Sequence, residues 1–217
     1  AFFAVLGAGG IVCALHARET DPRLAATLAA LAPDLVVADE EQAERAAQAL
    51  AAAGLKAPVV PTQEAAGAGQ GEEAAPHPVA PDDLAAILLT SGTTGRPKQV
   101  MHSHATLHAT AMTAGPVYAA LSPMDALAVP MAPSFAAWVH CVLPFVALGG
   151  RLVFQPRFDP DAYLDLLEAE RVTVAALVPT LWRMVLPGLS RRDLPALRVG
   201  MFSGEPGTPE LVQALTG

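Results

Sequence analysis

The run Thr90-Ser91-Gly92-Thr93-Thr94-Gly95-Arg96-Pro97-Lys98 concentrates hydroxyls, glycines and cations in one short stretch. Glycines let a backbone turn tightly and bring its N–H groups close to an anion. Thr90, Ser91, Thr93 and Thr94 add hydroxyl donors, and Arg96 and Lys98 add positive charge. That inventory suits a polyphosphate. A Walker loop would need Gly-Lys-Ser/Thr opening a helix, so that the helix N-terminus faces the phosphates. Here Pro97 separates the last glycine from Lys98, and Gln99-Val100-Met101 resumes a strand pattern. The apolar run Leu84–Leu89 reads as a buried strand, so the loop is expected to join two strands as a hairpin. An ordinary Gly/Ser/Thr turn would need neither the lysine nor four hydroxyls.

The elements around this loop belong to a globular chain of 217 residues, 53% hydrophobic and only 16% charged. A net charge of −8 argues against nonspecific binding to nucleic acid or an anionic membrane, so cationic character must be local. Cys13 and Cys141 sit in apolar surroundings far apart in sequence, and read as buried thiols of a reducing, cytoplasmic compartment. The apolar start, Ala1 to Cys13, lacks a basic flank and is broken by glycines, so it reads as a helix running into a strand rather than a signal peptide or membrane span. Downstream, Asp21-Pro22 opens a helix with Asp21 as its N-cap, Leu35–Ala38 is a strand, Glu40–Ala53 a helix and Val59-Val60 a strand. Pro61 to Pro81 reads as a solvated Gly/Ala/Pro/Glu loop. After the hairpin come a helix over 105–119 and a turn at Ser122–Asp125. Phe135–Leu148 then reads as a helix, Arg151–Phe154 as a strand and Asp159-Pro160 as the cap of another helix. Val172–Leu177 and Leu197–Phe202 read as strands, and Thr208-Pro209-Glu210 opens a last helix. This alternation predicts an α/β fold of two successive subdomains, 1–121 and 122–217, with helices flanking sheets and the phosphate loop on a β-hairpin.

The string from Thr90 to Lys98 resembles the phosphate-binding loop of the adenylate-forming superfamily: acyl-CoA synthetases, luciferases and the adenylation domains of peptide synthetases. The resemblance spans nearly the whole chain but only the middle of the family's large N-terminal region. It implies that Thr90, Ser91, Gly92, Thr93, Thr94, Gly95 and Lys98 contact the β- and γ-phosphates of ATP. A carboxylate would attack the α-phosphate, a reaction dominated by positioning and charge stabilisation. It also implies that Gly204, Glu205 and Pro206, within Phe202-Ser203-Gly204-Glu205-Pro206, lie against adenine. There a glycine permits close approach and a proline offers an apolar face; alone, the segment would equally pass for a plain strand–helix turn. Phe135, Ala136, Trp138 and His140 fall where relatives line the acyl pocket, although Phe135, Trp138 and His140 would also suit a core.

Two departures bear on the substrate. Ala136 stands where peptide-synthetase domains carry an aspartate for the α-amino group, and Pro133 where many acyl-CoA synthetases carry a histidine. Without a counter-ion for an ammonium, a carboxylic acid lacking an α-amino group is expected. His102, His104 and His108 have no Cys, Asp or Glu close in sequence to complete a metal site, so none is assigned. The magnesium-binding glutamate, a ribose-binding aspartate and the catalytic lysine of relatives have no counterpart here, so no catalytic residue is assigned and the chain alone is expected to lack turnover. The expected function is an ATP- and Mg2+-dependent acid–thiol ligase, with CoA or a carrier-protein thiol as acceptor. An adenylation domain for an unusual acid and a non-catalytic nucleotide-binding remnant are the alternatives.

Overall fold

Short apolar runs punctuated by Pro, Gly and Asp fold into alternating strands and helices. The computed structural model describes residues 1–67, 75–90, 98–119 and 121–216. Two units result, Ala1–Ser103 and His104–Gly217. The division falls ahead of the helix that starts at His104, not near residue 122, because that helix packs on a later helix of the second unit.

The first unit holds α1 (Phe2–Gly7), α2 (Asp21–Leu31), β1 (Val36–Ala38), α3 (Glu40–Ala52), β2 (Val59–Pro61), α4 (Thr62–Gly67), β3 (Leu84–Thr90) and β4 (Lys98–Ser103). β1 and β2 pair in parallel, Val36 opposite Val59. Leu24 and Leu28 of α2 pack against Ala49 and Leu50 of α3. Asp39 caps α3 by accepting from the Gln42 amide at 2.9 Å. Arg45 then ties α3 to the start of α2 and the segment before it, donating to Asp21 Oδ1 and the Ala17 carbonyl, each at 2.6 Å, and to the Glu19 carbonyl. Two expectations need correction. The N-cap of α2 is Thr20, with Asp21 in the first turn where its charge meets the helix N-terminus. The expected loop from Pro61 contains α4, because Gln63, Glu64 and Ala65 are helix formers that the bulk composition of the stretch conceals.

In the second unit α5 (His104–Ala119) precedes β5 (Ala126–Val129), α6 (Ala136–Leu148), β6 (Arg151–Phe154), α7 (Pro160–Ala169), β7 (Val174–Ala176), α8 (Pro179–Leu189), β8 (Val199–Met201) and α9 (Pro209–Thr216). The four strands form one parallel sheet in the order β6-β5-β7-β8. Ala128 and Ala175 share a core with Tyr163, Leu164 and Leu167 of α7, Trp182 and Val185 of α8, and Leu211 of α9. The β5–α6–β6 crossover runs opposite in direction to those through α7 and α8, so right-handed connections put α6 on the other face.

One buried carboxylate gathers the starts of all four strands. Asp125, 3% exposed, accepts from Arg198 Nε at 2.9 Å and Nη2 at 2.6 Å. It also accepts from the Thr173 hydroxyl at 2.7 Å, the Ser122 amide at 2.8 Å and the Ser122 hydroxyl at 3.0 Å. Thr173 in turn accepts from the Ala126 amide at 2.9 Å, and the Asp125 carbonyl accepts from the Arg151 amide at 2.9 Å. The Arg198 guanidinium foremost, helped by the Thr173 and Ser122 donors, outweighs burial and holds the Asp125 carboxyl well below the usual carboxylate range.

Tyr163 shows the opposite balance. It is wholly buried and its hydroxyl has no hydrogen-bond partner among the described residues. Burial first, and the nearby Cys141 second, push its phenol above the ordinary value.

Two predictions follow from these groups. Asp125→Ala removes the carboxylate that Arg198 and three further donors share, and should cost about 2–4 kcal/mol by chemical denaturation. Because the folded carboxyl is depressed, its contribution is complete above the unfolded value near ~4 and fades as pH falls below it. The variant should therefore show a shallower acid limb; an unchanged limb would refute the clamp. Tyr163→Phe removes an unpaired buried hydroxyl and should leave stability unchanged or raise it by about 1 kcal/mol; a loss above that, read from the same melts, would mean that the hydroxyl is satisfied in solution.

Candidate functional site

The hairpin forms as the sequence implies. β3 and β4 pair antiparallel, and their last register partners are Thr90 and Lys98, the two ends of the glycine- and hydroxyl-rich loop. No helix begins at Lys98, which is the first residue of β4. β3 is held inside by Ala85, Ala86 and Leu88, and by Val12, whose amide donates to Ala85 and whose carbonyl accepts from Ile87. Ser91, Gly92, Thr93, Thr94 and Gly95 lie outside the described residues, as do Arg96 and Pro97.

The other sequence-derived residues share one edge of the second unit's sheet. In parallel α/β sheets, ligands bind at the carboxyl ends of strands where neighbouring crossovers leave on opposite faces. That switch lies between β5 and β7. From β5 the chain passes through Pro130–Phe135 into α6, and from β7 through Leu177 and Val178 into α8. Phe135 is the N-cap of α6, extended at φ −97° and 48% exposed. Ala136 and His140 are exposed as well, whereas Trp138 is 4% exposed and packs inward with Val139 and Val142. Of the four, Trp138 thus offers a ligand the least surface. α6 has no acidic residue in its first turn. Pro144 cannot supply the N–H that the His140 carbonyl would otherwise accept, which loosens the helix just below these residues. Burial pushes the Cys141 thiol up to about 11, leaving it a poor nucleophile at neutral pH.

At the end of β8 the chain makes a fixed loop. The Met201 carbonyl accepts from the Leu177 amide at 3.1 Å and from Trp182 Nε1 at 2.9 Å. Gly204 follows at φ +86°, a conformation that side chains resist. The Phe202 ring lies so close to Gly207 that a Cβ there would meet it at 2.3 Å. Glu205 Oε2 accepts from the Thr180 hydroxyl at 2.8 Å. Thr208 then opens α9, its hydroxyl accepting from the Leu211 amide at 3.3 Å. Sequence reasoning missed Thr180, because its link to Glu205 crosses from one strand end to the next; only the shared position after a predicted strand could have pointed to it.

Comparison with known proteins agrees with this architecture. The family model described as "AMP-binding enzyme" matches residues 1–217. A feruloyl-CoA synthase from Amycolatopsis sp. is 34% identical over 213 residues, covering 96% of this chain and 42% of that protein. An uncharacterised acyl–CoA ligase from Bacillus subtilis (strain 168) is 35% identical over 137 residues, covering 60% of this chain and 26% of the relative. The chain therefore spans well under half the length of these curated relatives. Among solved structures, ATP-bound MatB from Rhodopseudomonas palustris superposes with a TM-score of 0.83 at 28% identity, over 98% of this chain and 43% of that one. The N-terminal domain of FACL13 from Mycobacterium tuberculosis shares the fold, with a TM-score of 0.86 at 23% identity, over 99% and 55% of the two chains.

The loop after β8 yields a prediction of its own. Gly204→Ala should lower stability by about 1 kcal/mol and speed amide hydrogen exchange across residues 202–207. Unchanged melting and exchange would show that the positive φ is not required.

Proposed function

The chain belongs to the AMP-binding enzyme family, and on that premise we propose that its protein is an ATP-dependent acid–thiol ligase. A carboxylate oxygen of the acid attacks the α-phosphorus of ATP; the bond to the β-phosphate breaks, releasing pyrophosphate and forming an acyl-adenylate. A thiol then displaces AMP from the acyl carbon. The carrying observation is the hairpin that pairs Thr90 with Lys98 across a loop of glycines and hydroxyls. Lys98 and the donors of Thr90, Ser91, Gly92, Thr93, Thr94 and Gly95 would balance the charge that builds on the departing phosphates. Gly204, Glu205 and Pro206 would take the adenine.

Phe135, Ala136 and His140 would meet the acid, with Trp138 supporting them from within. The absence of an acidic residue in the first turn of α6 supports an acid without an α-amino group, since an ammonium would find no counter-ion there. The names of the feruloyl-CoA synthase and acyl–CoA ligase relatives support CoA over a carrier-protein thiol as acceptor. Magnesium would travel with the ATP phosphates. Among the described residues no three His, Cys, Asp or Glu side chains gather into a metal-binding group, so none is assigned to it. A cytoplasmic location is supported by the unpaired thiols of Cys13 and Cys141. Among the described residues no helix is long and apolar enough to cross a membrane.

In the full-length protein, Lys98→Ala should slow acid-dependent ATP–pyrophosphate exchange at least about tenfold while shifting stability by no more than ~1 kcal/mol, since Lys98 is exposed on β4. Unchanged exchange at an unchanged melting temperature would remove Lys98 from the mechanism.

A further inference from the structure

We propose that Thr180 is a positioning residue for nucleotide selection, acting through the Glu205 carboxylate; this rests on placing Gly204–Pro206 against the base. Thr180 is the second residue of α8 and follows the end of β7, while Glu205 follows the end of the neighbouring strand β8. The hydroxyl-to-Oε2 distance of 2.8 Å joins residues 25 apart in sequence. Both are exposed, so the link adds little to the core. Its surroundings, by contrast, are fixed: the Met201 carbonyl is held from Leu177 just after β7 and from Trp182 of the same α8, Gly204 takes a conformation that favours glycine, and Phe202 closes over Gly207. An otherwise mobile glutamate on a rigid loop is thus confined at one carboxylate oxygen.

Confinement has a chemical consequence. The threonine hydroxyl on Oε2 fixes the plane in which the carboxylate lies, and an ionised carboxylate only accepts hydrogen bonds. It would favour a base presenting an exocyclic amino group, as adenine does. A base presenting a carbonyl oxygen at that place, as hypoxanthine does, would set two acceptors against each other. A freely rotating glutamate could turn away from that repulsion and discriminate less. Thr180 therefore contributes to choosing ATP over ITP without touching either.

The test compares Thr180→Val, Thr180→Ser and Glu205→Ala in the full-length protein, with calorimetric ATP and ITP affinities and with KM and kcat of pyrophosphate exchange. Thr180→Val should weaken ATP binding about fivefold, the size expected for one lost hydrogen bond, with ITP affinity unchanged or raised as the carboxylate turns away. The loss should appear in KM with kcat maintained, Thr180→Ser should restore it, and melting temperatures should stay level. Thr180→Val added to Glu205→Ala should have no further effect, since the partner is already gone. If Glu205→Ala reduces ATP affinity but Thr180→Val does not, the role of Thr180 is overturned and the adenine placement survives. If Glu205→Ala leaves both affinities unchanged, the placement of Gly204–Pro206 against the base fails, and the proposal with it.

Discussion

The second unit is organised from the Asp125 carboxylate. Parallel strands make no hairpins with each other, so their starts must be aligned by something other than a turn. Asp125 supplies that alignment by taking donors from Ser122, Thr173 and Arg198, which precede β5, β7 and β8, while its own carbonyl receives β6 through Arg151. Burying an ionised group is costly unless its lone pairs are filled, and here several donors converge on the two oxygens. The clamp lies at the opposite edge from the carboxyl ends, where ligands of such sheets bind.

How much of this was legible from the residues depends on how local each cause is. The hairpin was legible because the runs on either side of the loop have strand character. The helices capped by Asp39 and Asp159 were legible for the same reason: their signals lie within a turn. β5 was not. Ala126-Leu127-Ala128-Val129 has only one β-branched residue and no alternation, because both of its faces are buried in the middle of the sheet. α8 was hidden by Pro187 and Gly188, which read as breakers, although Leu181, Trp182, Val185, Leu186 and Leu189 follow helical spacing. Tertiary packing around Trp182 and Val185 overrode the local signal.

The candidate site divides along the same line. The phosphate loop and the Gly204-Glu205-Pro206 segment stand out as residue types in sequence. What supports them does not, because it is made across strands. The double acceptance at the Met201 carbonyl and the threonine beside Glu205 depend on β7 and β8 being neighbours, a fact of sheet order that no single segment contains. Trp138 illustrates the converse: it falls where relatives line the acyl pocket and would equally suit a core, and only the folded chain shows that it is 4% exposed.

Placing the electrostatic clamp at one edge and the variable loops at the other also shapes how such a chain can change over generations. Residues 130–137 and 202–206 are attached to a frame held by its apolar core and, at the far ends of the strands, by the Asp125 clamp. Substitutions there alter what can be bound while leaving most of the margin against unfolding untouched, apart from positions such as Gly204 with a backbone requirement. Lineages built on this frame can therefore vary these loops in small viable steps. The same exploration at Ser122, Asp125, Thr173 or Arg198 would use up far more of that margin at each step.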